Sequence, residues 1–119
     1  MDELQVVTSR NHFYAVIEEA IMDSIRKRMH SAVIEASKLY DWPTIKLAAR
    51  RALDQELALS SITDKVHKSE CKLIDSLPIE PNSSSDPKRK YEILNHLLRI
   101  CQFRHLRFHL KAAGTEAHP

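Results

Sequence analysis

Residues 88–111 read KRKYEILNHLLRICQFRHLRFHLK. Whether this stretch is helix or strand decides the fold. Its first half is helical by spacing: Tyr91, Leu94, Leu97, Leu98 and Cys101 recur at three- and four-residue intervals and share one face. Its second half is less regular. Phe103, Leu106 and Leu110 project to another side, and Leu106-Arg107-Phe108-His109-Leu110-Lys111 alternates with the period of a strand. No other segment offers that strand a partner, so a helix is expected throughout. The stretch holds seven Lys or Arg against one acid, Glu92, a local charge of +6 in a chain whose formal net charge is +2. Everything outside it therefore sums to −4.

Outward from this stretch, glycine usage narrows the fold. The single glycine among 119 residues is Gly114. Gly supplies positive φ to hairpins and phosphate-cradling loops, so a Walker loop, a dinucleotide fingerprint and Gly-based hairpins are excluded. Helices joined by Pro, Asn, Ser and Asp turns remain. The expected fold is all-α, a small bundle of three to four helices with a basic C-terminal helix. Residues 1–10 are expected to form a flexible arm, 11–111 a single helical domain with a loop at 77–87, and 112–119 a disordered tail.

The first helix is expected to start near Ser9 to Asn11. It carries an i, i+4 ladder of Phe13, Ile17, Ile21, Ile25 and Met29, continued by Ala32, Ala36 and Leu39. Asp41-Trp42-Pro43 punctuates the chain: Asp41 caps the next helix, Pro43 suits its first turn, and Trp42 packs the joint. A second helix is expected over 43–77, or two helices broken near Ser60-Ser61. Its core face would comprise Ile45, Ala48, Ala49, Ala52, Leu59, Ile62, Val66 and Leu73, with the alanines allowing close helix approach. The loop contains three prolines and three serines and closes on Asp86-Pro87, a second cap-plus-proline start.

No run of about 18 apolar residues exists to span a membrane, and the acidic beginning lacks the apolar segment of a signal peptide. Two cysteines make no disulfide framework. Reduced thiols in the cytoplasm or nucleus, with no membrane partner, are the expectation.

Two constellations carry candidate chemistry. His67 and Cys71 are four apart, as are Cys101 and His105. If each pair shares a helix face and the helices pack antiparallel, the four make a Cys2His2 tetrahedron, a closed structural zinc site. His109 extends the last row. The order His-Cys-Cys-His is similar to the zinc motif of lentiviral Vif proteins. The likeness covers those four residues, with different spacings, and no function is carried over from it. The second constellation is basic. Lys88, Arg89, Lys90, Arg99, Arg104, Arg107 and Lys111 suit phosphates, and Phe103 is the expected platform for an unpaired base.

No catalytic signature is present. Glu18-Glu19 and Asp54-Glu56 fall on faces expected to be wet, where neighbours do not converge. The function expected from the sequence is a small non-enzymatic intracellular binding protein whose basic C-terminal helix engages nucleic acid, RNA or DNA, or another anionic partner. The alternative is a helical adaptor or accessory protein, of the viral kind, that binds a host or partner protein or a second copy of itself. In that reading the zinc site joins the second and last helices.

Overall fold

The computed structural model describes residues 3–79 and 86–117, and all regular structure among them is helical. Five helices follow in order: α1 (Glu3–Leu39), α2 (Trp42–Ala58), α3 (Asp64–Asp75), α4 (Pro87–Leu98) and α5 (Phe103–Ala117). The expected count of three to four is corrected to five. Two boundaries move as well. α1 begins at Glu3 rather than near Ser9, so most of the expected arm is helical. α5 runs to Ala117 with Ala113 fully buried, so most of the expected disordered tail is helix. Residues 1–2, 118–119 and the loop positions 80–85 lie outside the described residues.

The chain divides into two compact units, Met1–Ala32 and Val33–Pro119. The first is α1 helix, with its described side chains almost all exposed. The second holds the core. There α2 is the central element and packs against both α5 and α3, while α4 packs against α5. Ala48, Ala49 and Ala52 have no accessible surface. Small side chains at these positions let a neighbouring backbone come close, as the spacing foretells. Val33, Ala36 and Trp42 at the end of α1 and the start of α2 complete the core with Leu94, Leu97, Leu106 and Leu110.

Local chemistry sets the helix starts. The Asp41 carboxylate accepts from the Thr44 N–H at 3.0 Å, the Thr63 hydroxyl from Val66 at 3.2 Å, and the Asp86 carboxylate from Arg89 at 3.2 Å. α2 ends at Ala58, and Ser60 just beyond it is the one non-glycine residue with positive φ among those described, at 58°. That break resets the helical phase. Leu59, Val66 and Leu73, expected on the core face of one long helix, are exposed, and Cys71 and Ile74 are buried instead. Arg50 and Asp75 (3.2 Å) join α2 to α3, and His96 and Glu70 (3.0 Å) join α4 to α3.

The largest correction falls on 88–111. The stretch is two helices separated at Arg99–Gln102. Cys101 sits in the turn, buried, with its N–H on the Leu97 carbonyl. The change of apolar phase after Cys101 is therefore a change of helix.

Candidate functional site

The solvent face of α5 follows from its packing. Leu106, Leu110 and Ala113 are buried, and His105 and His109 turn toward α2. Arg104, Phe108, Lys111 and Thr115 then fall on the outer face at helical spacing, with Arg107 beside them, and all five are exposed. Three are cationic, and none of the exposed residues described on this helix is acidic. Phe108 is 64% exposed, a large apolar ring held in water among cations. Phe103, the expected platform, is only half-exposed, and the Arg107 guanidinium lies 5.9 Å from its ring centroid. Phe108 is the available aromatic face.

On α4 and the following turn, Lys88, Arg89 and Arg99 are exposed. Lys90 is corrected. It is 3% exposed, on the inward side of α4, and cannot reach a phosphate. Burial lowers its pKa, while the charges of Asp41 and Asp86 pull it partly back.

The expected Cys2His2 tetrahedron is not assembled. Sharing a helix face at i, i+4 requires both residues on one helix, and Cys101 precedes the start of α5. Burial pushes its thiol pKa up to about 12, helped by the carboxylates of Glu56 and Glu70. His105 turns to Glu56 at 2.8 Å. What forms instead is a smaller group from α2 and α3. His67 Nε2 stands 2.7 Å from Asp54 Oδ1 and 3.5 Å from Cys71 Sγ. The ligand atoms of Asp54, His67 and Cys71 all lie within 4.8 Å of one another. It is the only such group of three among the described residues, and it combines an exposed carboxylate, a half-buried imidazole and a buried thiol. Burial raises the Cys71 pKa, with Arg50 opposing and the nearby carboxylates adding to the rise.

Glu56, expected on a wet face, is buried instead. It has no accessible surface, and its Oε1 accepts from the Gln102 N–H at 2.9 Å and from His105 Nδ1 at 2.8 Å. Gln102 precedes the first residue of α5, and the Leu106 N–H bonds to its carbonyl. A carboxylate from α2 thus caps α5, where the unpaired N–H groups and the helix dipole favour negative charge. Burial raises the Glu56 pKa, but the hydrogen bonds from Gln102, His105 and Ser61 outweigh it, and the net shift is downward. Its Oε2 has no hydrogen-bond partner among the described residues. The signal was present in the sequence. Ile45, Ala49, Ala52 and Glu56 are four, three and four apart, so Glu56 lies on the apolar face. One residue earlier, Gln55 Oε1 meets His109 Nε2 at 2.7 Å.

No family model, no curated protein and no solved structure matches this chain. No described helix is long and apolar enough to cross a membrane.

Proposed function

We propose that this protein binds nucleic acid through the outer face of α5. The reading is carried by one observation, the exposed row of Arg104, Arg107, Phe108 and Lys111 with no acid described among them. Cations at this density attract a phosphate backbone by releasing its counterions. An exposed aromatic ring among them gives an unpaired base a face to stack on. Lys88, Arg89 and Arg99 add positive charge from α4 and the turn after it. The chemistry favours single-stranded RNA or DNA over duplex, because stacking on Phe108 needs an unpaired base.

Fluorescence anisotropy with labelled single strands and duplexes, at low and raised salt, tests the reading. Affinity should fall by roughly 0.7 to 0.9 log units per log unit of salt for each phosphate contacted. Arg104→Glu with Arg107→Glu should flatten that slope, and Phe108→Ala should weaken single strands more than duplexes. Weak binding, unchanged by salt and by these substitutions, defeats it.

A second reading concerns Asp54, His67 and Cys71. A His nitrogen 3.5 Å from a thiol suits two ligands of one zinc ion, and Asp54 supplies a third, leaving a position for water. In that reading zinc ties α2 to α3, and Cys101 and His105 take no part. Metal analysis of the purified protein should find one zinc per chain, lost on Cys71→Ser and retained on Cys101→Ser. Metal-free protein that takes up no added zinc defeats this reading, leaving His67 as a hydrogen-bond partner of Asp54.

A further inference from the structure

The unit Met1–Ala32 leaves an apolar helix face uncovered. Phe13 is 61% exposed, Tyr14 65% and Ile21 55%, and Val16, Ile17 and Met22 are exposed as well. Ile25 and Met29 continue the row half-buried. A contiguous apolar strip of this kind on a soluble protein marks an interface. The charges beside it say what covers it. Along α1 the acids come first, Glu18, Glu19 and Asp23, and the bases follow, Arg26, Lys27 and Arg28. Lys27 is held by Asp23 within the helix at 3.1 Å. Glu18 is one turn from both Tyr14 and Met22, and Arg28 follows Ile21 by seven residues and Ile25 by three, so both charges fall within the apolar face.

We infer that α1 pairs antiparallel with α1 of a second copy of this chain, about a two-fold axis level with Asp23. At that register Ile21 stands level with the partner's Ile25, Ile17 with the partner's Met29, and Glu18 with the partner's Arg28. Apolar and charged residues come into match together. A parallel pair sets Glu18 level with the partner's Glu18 and Arg28 with the partner's Arg28, and is repelled at both levels. A second copy of this helix brings both the apolar row and the complementary charges into match at one register.

Sedimentation equilibrium on the full chain should give twice the 13.7 kDa chain mass. Ile21→Glu, an exposed position, should give the monomer with helix content unchanged by circular dichroism. Glu18→Arg should weaken the dimer about tenfold, since the lost pair occurs twice, and adding Arg28→Glu should restore it. In a parallel dimer the double exchange restores nothing, and that result overturns the arrangement. A monomer at every concentration, or a dimer untouched by Ile21→Glu, overturns the inference altogether. Neither readout involves nucleic acid, so the reading of α5 stands or falls separately.

Discussion

Two histidine–carboxylate pairs start two residues apart on α2 and have opposite characters. Asp54 meets His67 at 2.7 Å, and Glu56 meets His105 at 2.8 Å. The distances are nearly equal, but the Asp54 side chain is 63% exposed and that of Glu56 1%. Water competes for the first pair and is shut out of the second. The first carboxylate is free to exchange its partner for a cation. The second is committed to fixing where α5 begins. Two residues along α2, about half a turn around its axis, therefore separate a surface group with spare coordinating capacity from a buried staple.

The comparison breaks most sharply at Glu56. Glu56→Ala should cost about 2–4 kcal/mol in urea unfolding, because it leaves the half-buried His105 and the Gln102 N–H without their acceptor and empties a fully buried site. A loss under about 1 kcal/mol puts both pairs in one class. Alkylation of Cys101 reads the same opening independently. With its thiol pKa at about 12, the native residue should react only when the core opens.

Acid removes part of the same contribution. The folded pKa of Glu56 lies below its ordinary 4.5, so the native state binds fewer protons than the unfolded chain. Its contribution is complete above pH 4.5 and drains away as pH falls through the folded value. His109 adds a separate step at higher pH. Burial lowers its pKa from 6.5, assisted by Arg51 and His105. The unfolded chain thus takes up the proton first, and stability declines as pH falls below 6.5. Glu56→Gln should abolish the lower step and His109→Gln the upper, in unfolding free energies measured across pH.

Removing the histidine instead of the acid sharpens the contrast. His105→Ala should cost about 1–3 kcal/mol, since Glu56 keeps the Gln102 N–H and loses one bond. Asp54→Ala should cost under about 1 kcal/mol, as exposed pairs do, and should lower zinc uptake if the group holds metal.

Much of the fold was legible in residue spacing. The helical run of α1, the Trp42 joint, the alanine face of α2 and the Asp86-Pro87 start all follow from local rules of capping and periodicity, although the ladder expected to pack on α1 is largely exposed. The break at Arg99–Gln102 does not. It contains neither Pro nor Gly, and its cap is supplied by a side chain 46 residues away. Local signals cannot name a partner from another helix. The metal constellation failed for the same reason, since the i, i+4 relation of Cys101 and His105 assumed a continuous helix. His67 and Cys71 lie on one helix and did come together, with Asp54 overlooked because an exposed acid on α2 looks like any other. Lys90 was misplaced because charge alone was taken to mean exposure, whereas it lies four residues before Leu94 and seven before Leu97, on the buried face of α4.

The cap on α5 also has a consequence for the order of events during synthesis. α2 emerges early, yet it packs against α5, a helix made near the end of the chain, and α5 takes its first hydrogen-bond acceptor from α2. Closure of the core requires contacts across some fifty residues and cannot be completed piecemeal. Folding should therefore be slow for an all-helical chain, whose contacts are usually local. Until residues beyond Ala113 have appeared, the apolar face of α2 is open to chaperones and to its own kind.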